Sequence, residues 1–104
     1  MDNERNIEQY FVTKVRAAGG WPVKLSCPGT AGMPDRMVLW QDGLVCFVEL
    51  KRPGGKPRNL QWRQLGRISK RGFDVRVVST REDVDYLVHI YRRLMEFRKE
   101  GDAE

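Results

Sequence analysis

A chain of 104 residues and 12.1 kDa has room for one domain, residues 1–104, built around a single modest core. Its 40% apolar and 32% charged residues exclude a disordered chain, and no apolar run approaches the roughly 18 residues of a membrane span. The formal charge of +5 is concentrated: Lys51 to Arg71 holds eight basic residues and no acid, whereas seven of the fourteen acids lie at or after Glu82. Such a local excess suits a polyanion, most simply nucleic acid.

In chain order, Asn3 to Ala18 places Ile7, Phe11, Val15 and Ala18 on one helical face, with Gly19-Gly20 as the stop. Glu8 falls between Val12 and Val15 on the wheel, at the border of the buried arc. The charged start, Met1 to Tyr10, lacks the apolar stretch of a signal peptide, so a cytoplasmic location is expected. Pro22 to Ser26 reads as a short strand and Cys27 to Pro34 as a loop of breakers. Asp35–Gln41 and Leu44–Lys51 read as strands joined at Asp42-Gly43, a strong hairpin signal. After the loop Arg52–Pro57, Asn59–Arg71 reads as a helix stopped by Gly72, and Asp74–Ser79 as a strand of alternating valines. Thr80 is a good N-cap for a last helix of about twenty residues, with Asp83 closing a box-like start. The order αβββαβα predicts a mixed α/β sheet flanked by helices.

Several polar residues sit where apolar ones are expected. The two-residue period of a strand puts Glu49 and Lys51 on one face beside Val45 and Phe47. Asp35 opens the neighbouring strand after a Gly-x-Pro loop, so Asp35 and Glu49 can converge as two oxygen ligands for a hard divalent cation. The Leu50 backbone carbonyl is a natural third ligand. Lys51 on the same face is placed to orient or deprotonate an attacking water and to offset phosphate charge. On the Asn59–Arg71 helix, Gln61 falls within the buried arc of Leu60, Leu65 and Ile68, and Gln64 lies at its edge. Arg63, Arg67, Lys70 and Arg71 take the opposite side. An inward amide needs a partner, because an unsatisfied one costs about 1–3 kcal/mol.

The segments Gly32–Arg36 (GMPDR), Val45–Lys56 (VCFVELKRPGGK) and Asn59–Leu65 (NLQWRQL) resemble the PD-(D/E)XK nuclease pattern, and specifically its VRR-NUC branch. Ile7–Gly20 is similar to that branch's first helix, and the likeness runs from Ile7 to Ser79. The spacing Asp-x13-Glu-x-Lys is weak alone; joined to the helix Glu, the Gly-x-Pro-Asp step and a Gln ten residues after the Lys, it is strong. The resemblance implies a restriction-endonuclease-like fold and Mg²⁺- or Mn²⁺-dependent hydrolysis of DNA phosphodiesters. It puts the metal carboxylates on Asp35 and Glu49, the catalytic lysine on Lys51, the helix-one acid on Glu8 and the helix glutamine on Gln61, with Gln64 in reserve. It further implies a stand-alone type similar to homodimeric Holliday-junction resolvases, in the host cytoplasm if phage-encoded, acting on branched DNA and directed by a helicase or replication partner. Arg52, Lys56, Arg58, Arg63, Arg67, Lys70 and Arg71 are then the candidate DNA contacts.

Other residues invite less. His89 is expected to pack or face water, Cys46 to belong to the core, and Trp62 to be the best placed of three tryptophans for DNA. Tyr86, Tyr91, Met95 and Phe97 suggest an apolar stripe on the last helix, either core or subunit seam. The rival readings are a catalytically silent nucleic-acid-binding module, a flap or single-strand nuclease without junction preference, and a small RNA-binding protein.

Overall fold

The computed structural model describes residues 1–102. Helix α1 (Glu4–Ala17) starts at Asn3, whose side chain accepts the Asn6 N–H while the Asn6 side chain accepts the Asn3 N–H. Two donors of the first turn are thereby satisfied reciprocally. Strands β1 (Trp21–Lys24), β2 (Arg36–Leu39) and β3 (Val45–Leu50) follow, then α2 (Asn59–Ser69), β4 (Asp74–Val78) and α3 (Arg81–Asp102). The sheet order is β1-β2-β3-β4, antiparallel except for the parallel β3–β4 pair, which α2 joins as a crossover. The expected element order is the observed one.

The strands are shorter than their sequence signals, for local reasons. The turn from Gln41 to Leu44 takes residues from both hairpin strands. Asp42 (φ 60°) and Gly43 (φ 77°) both adopt the left-handed region, as a type I′ turn requires, and Leu44 N–H donates to the Gln41 carbonyl at 3.3 Å. At the other end Asp35 leaves the ladder, because its side chain rather than its backbone meets β3. The edge strand β1 begins at Trp21, one residue before the expected Pro22, and ends at Lys24, so the expected Ser26 lies outside it.

Alternation along β3 divides the two sides of the sheet. Cys46, Val48 and Leu50 face α1 and α3, where Ile7, Phe11, Val15, Val38, Val78, Val84, Leu87 and Val88 complete the core. Val45, Phe47 and Glu49 face the side that α2 covers. Helix α3 is anchored by Tyr91, whose ring stacks on Trp40 at 4.7 Å and whose hydroxyl donates to Asp74 Oδ2 at 2.7 Å. Tyr91 is 3% exposed and belongs to the core rather than to an outer stripe, whereas Tyr86, Leu94 and Phe97 on α3 remain exposed. Thr80 and Asp83 form the expected reciprocal start of α3: Asp83 N–H donates to Thr80 Oγ1 at 3.0 Å, and Asp83 Oδ2 accepts the Thr80 N–H at 3.2 Å. Burial pushes the Cys46 thiol up to about 11, so at neutral pH it stays protonated and acts as a small core residue. No helix among the described residues is long and apolar enough to cross a membrane.

Candidate active site

The site forms where β2 and β3 meet the N-terminal turns of α2. In the β2–β3 register Arg36 pairs with Val48; one step further sets Asp35 opposite Glu49. Like charges directly opposite across two strands repel, so an apolar sheet would not choose this pair for stability. The loop before Asp35 can approach α2 because Gly32 has φ +82°, and a Cβ there would lie 2.8 Å from Leu60 Cγ and 3.2 Å from the Leu60 carbonyl carbon. Asp35 Oδ2 accepts the Leu50 N–H at 2.9 Å, which fixes the carboxylate against β3.

Glu49 is 1% exposed. Its Oε2 accepts Gln61 Nε2 at 2.6 Å and pairs with Lys51 Nζ at 3.1 Å. Its Oε1 is buried and has no partner. An unpaired buried carboxylate oxygen is expensive, so this atom marks a place where a positive ligand fits. Burial raises the Glu49 carboxyl above the usual range and the Asp35 charge raises it further, while hydrogen bonding and attraction to Lys51 pull it down. Glu49 thus has one ammonium, from Lys51, and a second carboxylate, Asp35, near enough to raise its carboxyl; a divalent cation would offset the negative charge of the two.

Gln61 accounts for its inward direction at both ends. Its Oε1 accepts the Arg58 N–H at 2.8 Å, capping the start of α2, and its Nε2 holds Glu49. It therefore orients the carboxylate and ties α2 to β3. Gln64, also buried, serves another purpose: Nε2 donates to the Ala31 carbonyl at 2.9 Å and holds the loop before Asp35 against α2. Leu60, expected in the buried arc, is 41% exposed although Gly32 packs against it.

Glu8 is placed differently. Its Oε2 pairs with Arg36 Nη2 at 3.2 Å, and Arg36 Nη1 donates to the Pro22 carbonyl at 2.8 Å. Among the described residues no three His, Cys, Asp or Glu side chains lie together as one ion-holding group. α1 packs on the opposite side of the sheet from Glu49, and Arg36 holds the Glu8 carboxylate, so Glu8 would have to give up that pair to join Asp35 and Glu49 around an ion. Sequence reasoning missed Arg36, although it stands in the GMPDR motif beside Asp35; the signal was a lone cation on the strand face occupied by Val38.

Arg52, Lys56, Arg58, Arg63, Arg67, Lys70 and Arg71 are all exposed, and none pairs with a carboxylate among the described residues. They make a cationic rim that runs in sequence from the loop after Lys51, along α2, to the turn that follows it. Trp62 (51%) and Trp21 (63%) are exposed, Trp40 is buried, and His89 faces water.

No protein-family model matches the chain. A phage protein named "Putative nuclease p44", from Acyrthosiphon pisum secondary endosymbiont phage 1, is 39% identical over 79 residues, which are 76% of this chain and 85% of that protein. A solved structure described as a VRR_NUC domain superposes with a TM-score of 0.78 at 37% identity, covering 85% of this chain and 96% of the other.

Proposed function

Since this chain belongs to the VRR-NUC family of nucleases, we propose that it is a divalent-metal-dependent DNA endonuclease whose site is Asp35, Glu49 and Lys51. The observation that carries the reading is the bare, buried Oε1 of Glu49 opposite Asp35, with Lys51 alongside. Asp35, Glu49 and the Leu50 carbonyl would hold Mg²⁺ or Mn²⁺. A bound ion of this kind polarises a phosphate and lowers the pKa of a coordinated water. Lys51, 18% exposed at its side chain, reaches the surface beside the carboxylates and would position the attacking water and offset phosphate charge. Gln61 keeps the Glu49 carboxylate in one orientation, so the ligand set is pre-organised.

The rim of Arg63, Arg67, Lys70 and Arg71 would grip phosphates rather than read bases. Neutralising two of them should weaken DNA binding equally across sequences. It should also flatten the plot of log affinity against log salt by about 0.9 for each phosphate that the protein no longer neutralises. Weakening confined to one sequence would instead indicate base readout.

The preferred substrate in this reading is branched DNA cut by a pair of sites. One site cuts one strand, and two copies related by a two-fold axis would offer sites to opposed strands. The exposed Tyr86, Leu94 and Phe97 of α3 and the unpaired edge of β4 support a seam there. Light scattering should give about 24 kDa, twice the chain mass of 12.1 kDa. Cleavage mapping on four-way junction, flap, duplex and single-stranded DNA should show paired nicks across the junction. A monomer making unpaired nicks would leave a flap or single-strand nuclease.

A further inference from the structure

An open pocket of about 240 Å³ lies between the loop before Asp35 and α2, lined by Thr30, Met33, Gln64, Arg67, Ile68 and Arg71. We propose that it seats one unstacked nucleobase of the bound strand, with the neighbouring phosphates on Arg67 and Arg71; this deepens the nuclease reading and rests on it.

Three features of the lining argue for this occupant. Met33 and Ile68 supply apolar surface, which suits the flat face of a base and not a phosphate alone. Gln64 supplies a polar edge. Its Nε2 is engaged with Ala31 and its Oε1 with Arg67 Nη1 at 3.3 Å, which leaves one N–H and one lone pair for a base edge. Arg67 and Arg71 carry charges with no carboxylate partner among the described residues, and Arg71 Nη1 is steadied by the Arg67 carbonyl at 2.8 Å. A nucleotide is the ligand that joins an apolar ring, a hydrogen-bonding edge and adjacent anions.

Position supplies the fourth argument. The pocket walls are the two segments that build the active site. Met33 precedes Asp35 by two residues, at most about 7 Å of chain. Gln64 follows Gln61 by three, about 4.5 Å along the helix axis. A base seated here would therefore lie within one or two nucleotides of the cut. Because a paired base cannot leave its stack without cost, the pocket favours strands in which that nucleotide is already unpaired.

The test uses a duplex with a short unpaired tract across the mapped cut, each nucleotide in turn replaced by an abasic one. The parent protein should lose about tenfold in cleavage at a single position within two nucleotides of the cut. Thr30→Trp, an exposed loop position that can fill the pocket, should erase that positional dependence. In EDTA, 2-aminopurine at the sensitive position should change its emission on binding the parent and not on binding Thr30→Trp. Cleavage that responds evenly to abasic sites, with no emission change at any position, would overturn the pocket and leave the nuclease reading standing. An emission change that Thr30→Trp removes, on DNA that no divalent ion causes to be cut, would uphold the pocket and refute the nuclease reading.

Discussion

Millimolar Mg²⁺ or Mn²⁺ will raise the melting temperature of this protein, and the rise will grow as pH increases. A ligand at a hundredfold excess over its Kd stabilises the folded state by about 2.7 kcal/mol. In a domain of this size that corresponds to a shift on the order of 10 °C or more. The pH dependence follows from Glu49. Burial and the Asp35 charge raise its folded carboxyl above the unfolded value, so the folded state holds the proton more tightly. The resulting stability is fully present below the unfolded pKa and is lost as pH rises through the folded one. Without an ion the protein should therefore weaken across that window. With an ion the carboxylate is compensated, so the two melting curves diverge as pH rises. Glu49→Gln, which keeps the shape and removes the charge, should melt at or above the ion-free parent at neutral pH and should no longer respond to the ions. Melting curves of both proteins that are indifferent to the ions and to pH would rule out a metal site at Asp35 and Glu49.

Substitution at the site will cost activity in a definite order. Asp35→Ala, Glu49→Gln and Lys51→Ala should each slow cleavage at least about a hundredfold, the scale of losing one preorganised electrostatic group. Gln61→Ala should cost less, about 10- to 100-fold, because Gln61 acts through Glu49. It should also lose stability, since the Arg58 N–H and Glu49 Oε2 are each deprived of a partner. Arg36→Ala tests the Glu8 assignment: it frees Glu8 from its partner without touching Asp35 or Glu49. Initial rates beside circular dichroism spectra separate impaired chemistry from impaired folding. A folded Asp35→Ala protein that cuts at the parental rate would rule out the assignment.

The parts of the fold that were legible in the sequence are those decided by neighbouring residues. Asp42-Gly43 named its own turn, because few residue pairs accept two positive φ values in succession. Thr80 with Asp83, and Gly19 after α1, fixed helix ends through local hydrogen bonds and local conformational freedom. Glu49, Lys51 and Gln61 were legible as exceptions, polar groups on faces whose period called for apolar ones. Their partners were less so. Whether Gln61 would hold Lys51 or a carboxylate depends on how α2 lies across β3, which no local pattern encodes. Glu8 shows the limit most clearly: its wheel position lies at the border of the buried arc, yet its partner Arg36 is 28 residues away on another element. Leu60 also departs from the burial its helix period suggests: it is 41% exposed, with a glycine, Gly32, as its neighbour from the preceding loop.

If Asp35 and Glu49 make a metal-dependent nuclease site, as proposed, nicking of supercoiled DNA by the purified protein in EDTA, in Mg²⁺ and in Mn²⁺, run beside Glu49→Gln from the same preparation, will show it. Cutting should appear only with a divalent ion and only with the parent. Cutting of equal rate in EDTA, or by Glu49→Gln in Mg²⁺ or Mn²⁺, would contradict it.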